Sequence, residues 1–297
     1  MCKEIQLIKV YCAVCQIYCS ITARDCQRLS NNFCPKFSDE ECITIYLWGI
    51  ANQKFEARAA YDFINDYWEG WFPDLPSYQN FNRRICNLCG VLEQIASCMI
   101  TESGIDFSAI DYLLDSMPVI VANEKRSGTA KTAGELCDKG YCASKKTYYY
   151  GVKLHALVHK QHQALPNLFA AWVTPASQAD LPSAEESLDF IRDINLFGDK
   201  AYISKAWAAD LARRNVTIVT PEKLKKAETD VILGNIALKS SNHLMNSVVS
   251  SIRQPIESFF GWLQEKTNIE HASKVRSANG LLSFIFARLV ASYFFYS

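Results

Sequence analysis

The chain has 297 residues, an apolar fraction of 49% and a formal net charge of zero. Such a length buries a sizeable core and suits one large domain or two smaller ones, and the composition excludes a disordered or collagen-like chain. Neutrality excludes a uniformly basic nucleic-acid coat, but charge is uneven along the chain. Residues 139–160 hold five lysines and no acid, and residues 200–226 hold seven Lys/Arg against Asp210 and Glu222. Two basic stretches suit an anionic partner met on one face, and equally a solvated charged face.

Nine of the twelve cysteines precede residue 90, including the C-x-x-C pairs Cys12/Cys15 and Cys86/Cys89. The apolar run from Leu7 to Ile21 is broken by Lys9 and lacks a small-residue cleavage site, so it does not read as a secretory signal. A cytoplasmic address with reduced thiols follows. No histidine stands near either pair, so buried free cysteines on helices are expected rather than zinc.

Ser38 with Glu41 three residues later forms a capping-box pattern ahead of an apolar stripe. Residues 57–68 continue at helical period, with Tyr61, Ile64 and Trp68 on one side. The run FPDLP at 72–76 breaks the chain, and Ser77 can cap a further helix over 77–95. Helix, short turn, and a helix with Arg83 and Arg84 near its start resembles a helix-turn-helix, a pattern that helical bundles share. Residues 1–100 are therefore expected to be all-helical, and 101–297 to form a second domain.

From about residue 105 the texture becomes β-rich. The run through Tyr112, Leu113 and Leu114 predicts a strand ending at Asp115. Residues 147–158 predict a half-exposed strand, with Val152, Leu154, Ala156 and Val158 alternating against Lys153, His155 and Leu157. Further strands are expected at 168–174, just before Asp199 and at 216–220, with helices over 179–194 and 204–214. Strands first in a meander and then alternating with helices describe an α/β mixed sheet flanked by helices. Residues 221–241 read as a polar, lysine-bearing loop. The apolar run 281–297 carries Arg288 and helical spacing, so a docked terminal helix with no membrane contact is expected.

Asp115 and Asp199 fall at strand ends, where open α/β sheets collect ligands. Glu257 stands four residues after Arg253, and Pro255 suggests a helix start or a kink beside it. Each is singly compatible with a cap or an i,i+4 pair. Three converging carboxylates would repel one another unless divalent cations intervened, and oxygen-only ligation selects Mg²⁺ or Mn²⁺.

The runs LLDSMP, DKGYCASKKTYYYGVKLHALV, TPASQADL, FGDKAY and Arg253 to Phe260 resemble the DDE transposases of bacterial insertion sequences. That resemblance implies an RNase H-like catalytic core, with Asp115, Asp199 and Glu257 as catalytic acids holding two Mg²⁺ or Mn²⁺ ions. It implies DNA as partner, both terminal inverted repeats and target, and a homodimer on DNA in the bacterial cytoplasm and nucleoid. Some relatives carry a lysine seven positions after the glutamate, where this chain has Gln264. Lys153, His155, Lys200, Tyr202, Lys223, Lys225, Lys226 and Arg253 join Arg83 and Arg84 as candidate DNA contacts. A polar strand-edge role fits Lys153 and His155 equally.

Overall fold

The structure is a computed structural model that describes residues 2–21, 35–102, 110–161, 164–221 and 234–296. Contacts group the chain into two compact units: Met1–Glu102, Val119–Val152 and Trp262–Ser297 in the first, Ser103–Pro118 and Lys153–Gly261 in the second.

The first unit is built on helices α1 (Lys3–Ser20), α2 (Asp39–Ala51), α3 (Ala57–Tyr67), α4 (Tyr78–Asn87) and α5 (Cys89–Glu102). Helix α2 starts with the expected capping box: the Ser38 hydroxyl accepts from the Glu41 N–H, and the Glu41 carboxylate accepts from the Ser38 N–H. Two orphan amide donors of the first turn are thereby satisfied. Every residue from Cys42 to Ile50 is buried, so α2 is the centre of the helical core. The single helix expected over 77–95 is instead two, because the chain turns at Leu88 between α4 and α5.

The apolar C-terminal run forms the last helix of this unit, over Ala278–Tyr296, packed on α5, α2 and α4. Its Arg288 is 1% exposed. The guanidinium donates to the Tyr46 hydroxyl (3.1 Å), the Phe284 carbonyl (3.0 Å) and the Phe55 carbonyl (2.6 Å), and lies 3.3 Å from the Phe284 ring centroid. Burial lowers its pKa, which marks the desolvation that those contacts offset. Among the described residues no helix is long and apolar enough to cross a membrane.

Strand β1 spans Asp111–Ala122, followed by the single turn α6 (Glu124–Ser127), β2 (Asp138–Cys142) and β3 (Thr147–His159). The first unit holds the last third of β1, from Val119 to Ala122, and β2 paired antiparallel with the first half of β3. At Gly151 a Cβ would sit 2.1 Å from the Val119 carbonyl oxygen, so only glycine permits this approach of β3 to β1. β1 therefore does not end at Asp115. It continues through Ser116, Met117 and Pro118 to Val119, Ile120 and Val121, since the one donor missing at Pro118 removes only one ladder bond.

The second unit adds β4 (Asn167–Pro175), α7 (Asp180–Ser187), β5 (Asn195–Phe197), α8 (Lys205–Arg213), β6 (Thr217–Val219) and α9 (Gly234–Thr267), the last running on into the first unit. The six-stranded sheet runs β2-β3-β1-β5-β6, with β4 paired to β3 off this path and with β1, β5 and β6 parallel. This is the mixed RNase H-like sheet with its flanking helices. One face buries Tyr112, Leu114, Leu157, Leu196, Leu188, Trp207 and Leu211 together. β3 is not half-exposed: all of its residues from Tyr149 to His159 except Lys153 are buried, because both of its faces are covered. α9 contains Pro255 in its interior, so Glu257 lies in the body of a long helix, two residues past the proline, and not at the helix start.

Candidate active site

Asp115 is central to β1, the middle strand of its sheet. β1 and β5 pair in parallel with Leu113 opposite Phe197, and carrying that register on by two residues brings Asp199 level with Asp115. Neighbouring strands stand about 4.8 Å apart. Gly198 precedes Asp199, and the chain then enters a 3-10 turn over Lys200–Tyr202 that Asp199 caps, its Oδ1 accepting the Ala201 N–H at 2.7 Å. The acid is where it is because β5 stops and the next turn requires a capping acceptor.

α9 brings Arg253 onto Asp115, with Nη2 2.8 Å from Oδ2, while Oδ1 accepts the Ser116 N–H at 2.8 Å. The Asp115 carboxyl is pushed up to about 6, chiefly by burial. The Arg253 cation and the Ser116 N–H pull it down, and the charges of Asp199 and Glu257 push it up. Both other acids are thus within electrostatic reach of Asp115. Glu257, one turn beyond Arg253, is exposed, and Asp199 is half-exposed, so the acids line an open edge. Among the described residues no three His, Cys, Asp or Glu side chains stand close enough to form a metal-holding group. The oxygen-only donors and the unbalanced negative charge around Asp115 do fit a hard divalent cation.

A second polar cluster lies behind this one. Side chains alternate along β1, so Ser116 faces opposite to Asp115. The Ser116 hydroxyl donates to Asp180 Oδ1 (3.2 Å), and Lys153 Nζ donates to the same oxygen (3.0 Å) and to the Gln178 carbonyl (2.8 Å). His155, fully buried, stacks on Trp172 with ring centroids 5.1 Å apart, and its Nδ1 stands 4.0 Å from Asp180 Oδ1. A lone pair turned to that carboxylate would be repelled, so Nδ1 carries the proton and Nε2 accepts from the Thr174 hydroxyl at 2.8 Å. Burial lowers the His155 pKa to about 4, against an upward pull from Asp180. Lys153 and His155 do share a face, as their spacing predicts, but both are turned to Asp180 in the interior.

Sequence reading missed Asp180 and Ser116 as partners in this cluster. The available signal was weak: Asp180 opens a helix after the turn in TPASQADL, where an acid is also an ordinary first-turn residue. Tyr202 is 1% exposed, its pKa driven well up by burial and by Asp180, Asp115 and Asp199, so its hydroxyl lies under the acids and away from the surface where DNA would be met. Lys200 is exposed. Lys223, Lys225 and Lys226 lie outside the described residues. Gln264 donates to Asn268 Oδ1 and accepts the Glu270 N–H, closing the turn after α9.

In the first unit Arg83 is exposed and hydrogen-bonded to Asn80, whereas Arg84 is turned inward to Asp39 and the Phe37 carbonyl. Both line a cavity of about 620 Å³ with Lys36, Asn80 and Asn87. The described cysteines are all free; of those on helices only Cys42 is buried as expected, Cys15, Cys86, Cys89 and Cys98 are half-buried, and Cys12 and Cys19 on α1 are exposed.

A family described as "Transposase DDE domain" matches residues 112–294, more than half of the chain. No curated protein and no solved structure matches it.

Proposed function

The chain belongs to the transposase DDE family, and from that membership we propose that it is an insertion-sequence transposase that binds the terminal inverted repeats of its element. In this reading it hydrolyses phosphodiester bonds at the element ends and directs the freed 3′ hydroxyl at target DNA. The observation that carries the proposal is Asp115: a half-buried carboxyl on the central strand, with Asp199 two residues past the end of the neighbouring strand and the charges of Asp199 and Glu257 both acting on it. Asp115, Asp199 and Glu257 would hold the divalent ions that this family generally uses. Two Mg²⁺ or Mn²⁺ ions held by these carboxylates would supply the charge that activates a water or 3′ hydroxyl and stabilises the leaving oxygen.

The chain's own groups have complementary work. Arg253 neutralises Asp115 in the resting protein, and its guanidinium suits a backbone phosphate once the acids are occupied. Lys200, exposed beside Asp199, and Arg83, exposed on α4, suit phosphates of the bound duplex. Lys153 and His155 would act behind the site, holding β1 in place. Two element ends must be held together for joining, so a homodimer on DNA is part of the proposal.

One rival, a relative that binds DNA without cutting it, is favoured by the Arg253 contact and by the absence of a close acid trio among the described residues. Incubating the protein with a labelled element end, Mg²⁺ and a target plasmid separates the two readings. Cleavage and joining that disappear in Asp199→Ala support the proposal. Shifted but uncut DNA selects the rival, and cutting without joining reduces the activity to that of a nuclease.

A further inference from the structure

Helix α1 carries apolar side chains on two opposite sides. Leu7, Val10, Val14 and Ile17 are buried, and α1 packs on α2 and α5. Ile5, Ile8, Cys12, Cys15 and Cys19 run along the other side, where Ile5 and Ile8 are 49% and 45% exposed, Cys12 and Cys19 are exposed and Cys15 is half-buried. A surface helix of a monomer usually has one apolar stripe and a polar back. The outer stripe repeats at intervals of three, four, three and four residues, the seam spacing of a coiled coil.

With Ile5, Cys12 and Cys19 at the a positions and Ile8 and Cys15 at d, Glu4 falls at g and Lys9 at e. In a parallel pair a g residue meets the e residue five positions later on the other helix, so Glu4 faces the partner's Lys9, twice per dimer. Both side chains are exposed, and Glu4 accepts from the exposed Cys2 thiol, a solvent-side contact that a partner's Lys9 would replace or join. An antiparallel pair would bring g to g and e to e, and this complementarity would be lost. The apolar spacing and the charge placement therefore select the same occupant, a second copy of this helix in parallel.

We propose that α1 is a dimerisation helix, docking in parallel on α1 of a second copy through Ile5, Ile8, Cys12, Cys15 and Cys19. Isolated helices of this length are marginal in water, but α1 is already held helical by its inner stripe, so association need not form it. Five seam positions make a small contact, suited to a weak dimer that DNA reinforces. The inference deepens the paired-ends reading, yet its test needs no DNA and no catalysis.

Sedimentation of the full chain in reductant, at tens of micromolar, is expected to give a species of twice the 33.6 kDa chain mass. Ile8→Glu should weaken the dimer at least about tenfold with unchanged far-ultraviolet circular dichroism, since the position is exposed. Glu4→Lys and Lys9→Glu should each weaken it, and the double exchange should restore it. Diamide, which takes two electrons and two protons from a thiol pair, should link like to like, Cys12 to Cys12 and Cys15 to Cys15. A monomeric wild type, a dimer that survives Ile8→Glu, or a double exchange as weak as the single changes would overturn the proposal.

Discussion

Asp180 is the residue on which the second polar cluster turns. It accepts from Ser116 and Lys153 through one oxygen and faces the protonated nitrogen of His155. Removing its charge strands a largely buried ammonium, the kind of loss that outweighs the net worth of an intact pair. Asp180→Asn is expected to destabilise the fold by about 2 kcal/mol in urea titration. Lys153→Met should partly rescue it, because the variant pair no longer buries an uncompensated charge; a double-mutant cycle without coupling would refute the contact. His155 supplies the pH dependence. Its pKa falls from 6.5 to about 4 on folding, so the folded state binds fewer protons than the unfolded one between those values. The stability held by neutral His155 is complete above pH 6.5 and is lost as pH falls through about 4. Subtracting the stability of His155→Asn from that of the wild type should give a difference that rises with pH across this window and is flat above it.

At the scale of elements, the parts with local grammar were legible. The α2 capping box, the docked terminal helix and the strands flanking Asp199 follow from side-chain chemistry within a few residues. What failed was continuity. Asp115 reads as a strand end and Pro255 as a helix start or a kink, yet β1 runs on to Ala122 and α9 is already helical from Gly234, because pairing and packing beyond the local sequence carry both elements on. β3 read as half-exposed because Lys153 and His155 look polar, and nothing local shows that Asp180 waits behind them. Gly151 and Gly261 separate tertiary from local demands in the same way. At Gly151 an added Cβ meets the Val119 carbonyl at 2.1 Å, while at Gly261, inside α9, nothing lies within 4 Å. Gly151→Ala should cost about 3 kcal/mol, since β1 and β3 must part, and Gly261→Ala should stabilise by about 0.5–1 kcal/mol through helix propensity alone. Thermal unfolding of the two variants, expected to shift in opposite directions, checks both.

At the scale of the molecule, neither unit is a continuous stretch of sequence, since β1, β3 and α9 each pass from one to the other. The acids Asp115, Asp199 and Glu257 all fall in one unit, which lets a single equilibrium report on them. Folding that unit desolvates Asp115 and, to a lesser degree, brings the charges of Asp199 and Glu257 to bear on it, so its ionised form is disfavoured and its pKa rises. Stability held by protonated Asp115 is complete below its unfolded value of about 3.8 and declines as pH rises through about 6, so at neutral pH the strain is fully present. Were the folded acids to hold a divalent ion, as proposed, it would relieve that strain, and the unfolded chain would offer no such site. Manganese at about 100 times its dissociation constant should therefore stabilise the wild type by about 2.7 kcal/mol, raising the unfolding midpoint by roughly 5–10 °C for a chain of this size. Asp115→Asn should unfold higher than the metal-free wild type at pH 7.5 if Arg253 finds Asp199 or Glu257 in its place, and should lose most of the response to manganese. Scanning calorimetry of both proteins with and without the ion decides the matter: a wild-type midpoint indifferent to millimolar manganese, or an equal rise in the variant, would remove these acids as the metal site.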